Sequence, residues 1–472
     1  MNIKKLYLLL FCSMLIVGCT DDESFTTNPS ACLTFTSDTI NFDTVFATIP
    51  TATRTFWVHN KENDGIRLTS VRLANGNQRG FRVNVDGTYL GASSGFQVSD
   101  LEIRKGDSIR VFVELTSPTL TAEMTDLEDD IIFQQESGVE QRVKLLATAW
   151  QATILNNHHL TTDETLSSER PIIIRGGLTV DAGCTLTLTA GTRLYFYSDA
   201  GLHVYGKLVS EGTPDHNVVL RGDRLDRMFP YLPYDGVSGQ WRGVHIYEGS
   251  YDNVIKYTDI HSTMDGIVIE SNDPTQRSLT MQMSTVHNCQ GHGVKSVNAN
   301  VVIDNSQLTN TLGDCLHVTG GTVSVNNSTL AQFYPFDSAR GFALYFDNTT
   351  ALSILCRNSI VTGYADDVLQ GTRSSEEFAF DYRFENCQLR TPQPEESYAE
   401  HFVDVVYEEV EKEGRASFVL IDIDSLRYNF QLSDTALAID AGNTATALQI
   451  DRLGVLRDEH PDLGCFERKK EQ

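Results

Sequence analysis

Five residues recur at one position of a repeated phrase in the second half of the chain: Asp265, His292, Asp314, Arg340 and Asp366. Acid, base, acid, cation and acid are types that can move protons. Two carboxylates can act as the general acid and general base of an inverting glycosidase when a water fits between them. A histidine between carboxylates, with an arginine neutralising a uronate, suits proton abstraction alpha to a carboxylate, which is lyase chemistry. Asp265, His292 and Asp314 are the candidate catalytic residues in either scheme, and Lys295, His317, Arg340 and Asp366 would contact the ligand. Asp before Gly is equally ordinary turn chemistry, and alternating charges on a stacked surface neutralise one another. A purely structural column therefore stands open beside a catalytic one.

Some repeating element must bring these residues together. The phrases YTDIHSTMDGIVIES, MSTVHNCQGHGVKSV, DNSQLTNTLGDCLHV, NNSTLAQFYPFDSARGFALYF and RNSIVTGYADDVLQG align by eye, and a further copy ends at Asn386. Asn305 and Asn327 are 22 residues apart; Asn327 and Asn358 are 31 apart, the excess falling in the insertion AQFYPFDSARG. A short repeat rich in strand formers, with no helical period, cannot bury its apolar face alone, so successive coils must stack. Residues 151–430 are thus expected to form a right-handed, single-stranded parallel β-helix of about ten coils, with 431–472 as its C-terminal cap or tail. Coils about 4.8 Å apart would place His292 between Asp265 and Asp314. On the strand after each turn, Ile267, Ile269, Leu316, Val318, Phe342 and Leu344 are expected to point inward. Val268, Lys295, His317, Ala343 and Leu369 would point outward.

Two insertions interrupt the coils. DRLDRMFPYLPYDGVSGQW carries Phe229, Tyr231, Tyr234 and Trp241, and AQFYPFDSARG carries Phe333, Tyr334 and Phe336. Aromatic faces on loops suit the C–H faces of sugar rings, which makes Tyr231, Tyr234, Trp241 and Tyr334 candidate ligand-binding residues. The same loops would serve equally to cover the flank of the stack. The acidic stretch PEESYAEHFVDVVYEEVEKEG reads as an excursion near the end of the stack.

Metal chemistry has little support in the sequence. In HNCQGHG, His287 and Cys289 sit two apart on a strand and should face the same side, whereas His292 belongs to the next strand. No metal centre or cofactor is expected; calcium held by Asp residues along the column is the exception left open. A GxxxxGK[ST] signature is absent.

Residues 32–150 read as seven or so short alternating strands, the pattern of an Ig-like β-sandwich. The chain as a whole is therefore expected to be all-β. Residues 1–18 carry Lys4 and Lys5 before an apolar run from Leu6 to Val17, an export signal too short to span a membrane. Losing those two lysines takes the formal charge from −26 to −28, which disfavours nucleic acid as a partner. Of nine cysteines, Cys12 lies in the signal and Cys19 just after it, leaving seven with no CxxC. An odd set without paired spacing argues for buried apolar cysteines rather than a disulfide framework.

Several of these segments carry a family resemblance. LIVGC resembles a bacterial lipobox, which implies lipidation of Cys19, and TDDES resembles the acidic tract of Bacteroidetes-type surface lipoproteins, making 19–31 a tether. INFDTVFAT, RTFWVHN, FRVNVDG and KLLATAW, with GTRLYF, GLHVYGKLVSEGT, GQWRGVHIYEGSYDNVIKYTDI and DLGCFE, resemble lipoproteins of that group. Those have an N-terminal β-sandwich and a pectate-lyase-like right-handed β-helix. Asn305, Asn327, Asn358 and Asn386 resemble the asparagine ladder of such helices, in which side-chain amides bond coil to coil; independent turns favouring Asn would give the same column. The resemblance implies an outer-membrane lipoprotein exposed on the cell surface, anchored through lipid at Cys19, that engages an extracellular glycan without established catalysis. Polysaccharide lyases, glycoside hydrolases and passive adhesins or assembly subunits share the architecture, so these readings stand as alternatives. No oligomeric state follows. The triplets DTI, DTV, DSI, DSA, DSL and DTA, at Asp38, Asp43, Asp107, Asp337, Asp424 and Asp434, resemble Bacteroidetes O-glycosylation sites and are also ordinary turns.

Overall fold

The computed structural model describes residues 24–167, 170–409 and 414–468. Cys19 and the export segment lie outside the described residues. The chain divides into two compact units between Gln151 and Ala152.

In the first unit, strict alternation makes half-buried strands; Phe81–Val85, for example, buries every second residue. One five-stranded sheet has the order Thr34–Phe35, Arg54–His59, Ser108–Leu115, Phe81–Val85, Thr88–Tyr89. The other has the order Thr39–Phe46, Glu140–Trp150, Met124–Gln135, Ile66–Leu73, Gln97–Ile103. Phe56, Phe81, Phe133, Val111 and Val143 belong to the apolar core that the two sheets share.

The second unit is a parallel β-helix, a single 25-stranded sheet wound into coils. Each strand is too short to bury anything by itself, but stacking aligns its inward residues with those of the next coil. Leu178, Leu202, Val244, Ile267, Val294, Leu316, Leu344 and Leu369 form one such inward column. All are buried, each worth roughly 1.5–3 kcal/mol against exposure. Three faces result. The second has ten levels, whose strands begin at Glu164, Thr185, Lys207, Asn253 and Arg277, pass through Val294–Asp304, Leu316–Asn326 and Leu344–Arg357, and finish at Phe380–Glu385 and Phe402–Val403.

The turn between the second and third faces needs a left-handed residue. Tyr257, Met283, Asn305, Asn327, Asn358 and Asn386 occupy it with φ of 45, 48, 46, 45, 45 and 50°, a conformation that Asn tolerates best among non-glycine residues. The coil-to-coil ladder, however, runs one residue further on. The Thr258 N–H donates to Ser284 Oγ (3.0 Å), Ser284 N–H to Ser306 Oγ (3.3 Å), Ser306 N–H to Ser328 Oγ (3.1 Å) and Ser328 N–H to Ser359 Oγ (3.0 Å).

The asparagine amides turn outward to another partner, the C-terminal segment. Asn358 Oδ1 accepts the Asn443 N–H (2.8 Å), Asn327 Oδ1 accepts the Leu448 N–H (2.9 Å), and Asn305 donates to the Ile450 carbonyl (2.7 Å). Asn386 Oδ1 accepts from Asn443 Nδ2 (3.2 Å). The expected asparagine ladder is thus mainly a docking strip, with one coil-to-coil amide bond, from Asn358 Nδ2 to Asn326 Oδ1 (2.9 Å). The tail runs back along the flank of four coils, with Phe418, Phe430, Leu432, Ala438 and Leu463 packed against Phe333 and Ile360.

Two further expectations need correction. The acidic stretch is no excursion, because Phe402–Val403 pairs with Phe384 and Glu385, and Val406–Tyr407 with Gln388 and Leu389, as a last coil. The insertion before Gly341 also shifts the register: Leu316 pairs with Leu344 and His317 with Tyr345. Ala343 and Leu369 are therefore buried, and Phe342 lies half-buried outside the core.

Candidate functional site

The same shift removes Arg340 and Asp366 from the charged column. With Leu344 opposite Leu316 and Leu369 opposite Leu344, the positions below Asp314 belong to Phe342 and Asp367. Arg340 instead donates to the Asp337 carbonyl (3.1 Å) and lies over the Tyr364 ring (4.8 Å). Asp366 is exposed and pairs with Arg390 (3.2 Å).

The remaining column members hold the backbone of the next coil. Asp265 Oδ1 accepts the His292 N–H (2.8 Å), His292 Nδ1 accepts the Asp314 N–H (3.0 Å), and Asp314 Oδ1 accepts the Phe342 N–H (2.7 Å). A glycine makes room at each step. A Cβ on Gly291 would lie 2.1 Å from Asp265 Oδ1, one on Gly313 2.9 Å from His292 Nδ1, and one on Gly341 2.5 Å from Asp314 Oδ1. The other Asp314 oxygen lies 2.7 Å from His317 Nδ1. Burial would raise the Asp314 pKa, but hydrogen bonds from His317 Nδ1 and the Phe342 N–H outweigh it and hold the carboxyl well below the usual range. Asp314 is therefore an anion at neutral pH and has no proton to donate.

Beside this column lies an outward strip, one residue per coil: His203, His245, Val268, Lys295, His317, Tyr345. Its ends are aromatic. Tyr247 stacks on His245 (4.1 Å, 6°) and on Tyr205 (4.1 Å, 11°), and its hydroxyl lies 3.0 Å from His203 Nδ1. His317 stacks on Tyr345 (4.8 Å, 13°) and contacts His292 (4.5 Å). Tyr205 is 42% exposed, which leaves ring face open to solvent. Burial and the Tyr205 hydroxyl push the Tyr247 phenol up to about 12, and burial beside His245 lowers the His203 pKa. Sequence reasoning missed His203, Tyr205, His245 and Tyr247. The signal was LHVY and VHIY, the same apolar-His-apolar-Tyr phrase on neighbouring coils.

The aromatic insertions divide. Tyr231 is 62% exposed and stacks on Phe229 (5.7 Å), and Tyr234 lies under the Arg224 guanidinium (3.9 Å). Trp241 is buried flat against Phe196 (4.1 Å, 10°) and donates through Nε1 to the His261 carbonyl (2.8 Å), so it has no face for a ligand. Tyr334 is buried too, its hydroxyl 2.9 Å from Ser238 Oγ. Trp241 fills the core of the coils, and Tyr334 packs between the two insertions.

A second polar cluster sits under the first insertion. His261 is bracketed by Asp259 (Nδ1 to Oδ1, 3.1 Å) and Asp235 (Nε2 to Oδ1, 2.8 Å), while His287 Nε2 lies 3.1 Å from the same Asp259 oxygen. Arg221 reaches Asp235 at 2.5 Å. Burial would lower the His261 pKa, yet Asp259 and Asp235 raise it to about 9. Despite burial, His261 and His287 hold Asp259 well below the usual carboxylate range. His287 and Cys289 do not share a side, because Asn288 between them is left-handed (φ 52°). Cys289 turns into the core, where burial pushes its thiol up to about 12. Cys32, Cys184, Cys289, Cys315, Cys356, Cys387 and Cys465 are all free thiols, and all but Cys32 are buried.

Residues 149–330 match the family model described as "Right handed beta helix region", and the coils continue beyond it to Val406–Tyr407. The fold is thus nearly all-β, with a right-handed parallel β-helix as its larger part. No curated protein matches the chain. Solved structures with partial similarity include the Vibrio cholerae VesB protease, at 13% identity over 25% of this chain and 31% of that one, TM-score 0.17. A family 123 glycoside hydrolase from Clostridium perfringens, described as acting on glycolipid glycans, matches at 8% identity over 27% and 30%, TM-score 0.18. The ASH / PapD-like domain 7 of human CEP192 matches at 12% identity over 27% and 89%, TM-score 0.18. The matches span under a third of the protease and of the hydrolase, and superpositions this loose say nothing about activity.

Proposed function

We propose that this protein binds a linear extracellular polysaccharide along the strip from His203 to Tyr345. The observation that carries the reading is the pair of half-exposed ring stacks, Tyr205–Tyr247–His245 and His317–Tyr345. Flat rings on a rigid sheet suit the C–H faces of sugars, and polar edges supply hydroxyl contacts. Five coil steps separate His203 from Tyr345, about 24 Å at the strand spacing, which is room for several sugar units. Lys295, midway, would meet a carboxylate or sulfate on the chain. Binding without cleavage is favoured because Asp265 and Asp314 are engaged by backbone amides and Asp314 is fixed as an anion. The export segment, Cys19 and the acidic residues after it support a lipoprotein held at the outer membrane and exposed on the cell surface, with the first unit, read as an Ig-like module, as its spacer.

The test is to pass the purified protein over immobilised acidic and neutral polysaccharides while assaying for new reducing or unsaturated ends. Retention without products is expected, weakened about 2–13-fold by Tyr247→Ala or Tyr205→Ala, since an aromatic contact is worth about 0.5–1.5 kcal/mol. Retention indifferent to both substitutions would refute the strip. Products that disappear in His292→Ala would make the protein an enzyme.

A further inference from the structure

We infer that Asp259, His261 and His287 form a binding site for a divalent transition cation of the zinc type. The pairing of two adjacent coils, Thr258–His261 and Thr285–Cys289, sets His261 directly opposite His287, and their rings stack at 4.7 Å. One ligand atom from each of the three residues lies within 4.8 Å of the others. His261 Nδ1 and His287 Nε2 are both 3.1 Å from Asp259 Oδ1. Bonds of 2.0–2.2 Å to a common ion separate neighbouring donors by about 3.0–3.5 Å in octahedral or tetrahedral geometry; the two separations through Asp259 already match this, and the third lies within 4.8 Å.

The surroundings are those of a metal ligand. His261 is 6% exposed and its far nitrogen, Nε2, faces Asp235 at 2.8 Å. A carboxylate behind an imidazole orients the ring and strengthens it as a ligand. Arg221 in turn fixes Asp235. Asp259 and His287 keep 32% and 26% of their side chains exposed, which leaves a path for the ion. Two imidazoles with one carboxylate select a borderline-soft cation over calcium or magnesium, which take oxygen donors.

His292, Asp314 and His317 also lie close enough to share an ion. There, however, His292 Nδ1 already accepts the Asp314 N–H, so the lone pair facing Asp314 is engaged. In the first cluster the facing donors of Asp259, His261 and His287 bond one another rather than a backbone amide, and a second carboxylate, Asp235, orients His261.

Chelator-stripped protein titrated with zinc sulfate by calorimetry should take up one equivalent at this site. His287→Ala and Asp259→Asn should each weaken that uptake at least 100-fold, and Asp235→Asn about 10–100-fold through the second shell. His216→Ala, an exposed histidine outside the cluster, should leave it unchanged. Circular dichroism checks that each variant is folded; if His287→Ala is not, the Asp235→Asn result decides. Absence of saturable uptake, uptake indifferent to His287→Ala, or uptake lost on His292→Ala alone would overturn the site.

Discussion

Replacing Asn358 by alanine isolates what the asparagine column does. Asn358 is fully buried; its Nδ2 donates to Asn326 Oδ1 (2.9 Å) and Thr446 Oγ1 (3.1 Å), and its Oδ1 accepts the Asn443 N–H (2.8 Å). Truncation leaves the Asn443 N–H and Asn326 Oδ1 short of these partners, at about 1–3 kcal/mol for each buried group left unsatisfied. Holding alanine at φ 45° adds about 1 kcal/mol or more. Asn358→Gly removes the same amide without the backbone strain, so it should be the milder variant by about that increment. The total, roughly 3–7 kcal/mol for alanine, is large beside a typical stability of 5–15 kcal/mol. Hydrogen exchange should accelerate first in residues 440–450, with the coils before Asn305 unaffected. If the tail stayed protected while exchange rose instead at the serine hydrogen bonds, the amide would be mainly a coil-to-coil link and the docking strip would be wrong.

Ser328→Ala should cost about 1–3 kcal/mol in chemical denaturation, because it strands the buried Ser306 N–H. Gly291→Ala would drive a methyl to 2.1 Å from Asp265 Oδ1; the expected result is a markedly lower melting temperature, and an unchanged one would show that Asp265 is not holding His292. Burial pushes the Asp462 carboxyl up to about 6, against hydrogen bonds from Arg468 and Asp440 that pull it down. Between pH 4 and 6 the folded chain then keeps a proton that the unfolded chain has released, so this residue's contribution to stability falls as pH rises through that window. The decline should be about 1–3 kcal/mol, and Asp462→Asn should flatten it in denaturation curves taken at pH 4, 5 and 6.

Much of the fold was legible because its determinants are local and repeated. Inward residues such as Ile267 and Leu316 follow a period of two, and each coil announces its turn with a residue able to adopt a left-handed backbone. What the asparagines bind was not legible, since Asn443 and Ile450 lie 85 and 145 residues from Asn358 and Asn305 and no local pattern links them. The site was legible in part. Lys295 and His317 share an outward register, but Arg340 and Asp366 were misplaced because an eleven-residue insertion obscures where the next coil resumes. Trp241 and Tyr334 show that an aromatic residue on an inserted loop is as useful for filling space as for touching sugar. His261 went unread although it matches His287 in the repeat, since its significance depends on Asp235 from an insertion no alignment of coils includes.

The docked tail also constrains how this chain can evolve. Solenoids lengthen by duplicating a coil, and where nothing docks across the coils such an event simply raises the stack by one strand spacing. Between Asn305 and Asn386 it would not be tolerated so easily. The segment Asn443–Ile450 meets those coils at fixed intervals, and an extra coil would pull its contacts out of step by about 4.8 Å. The tail acts as a ruler that fixes the coil number along the flank it follows.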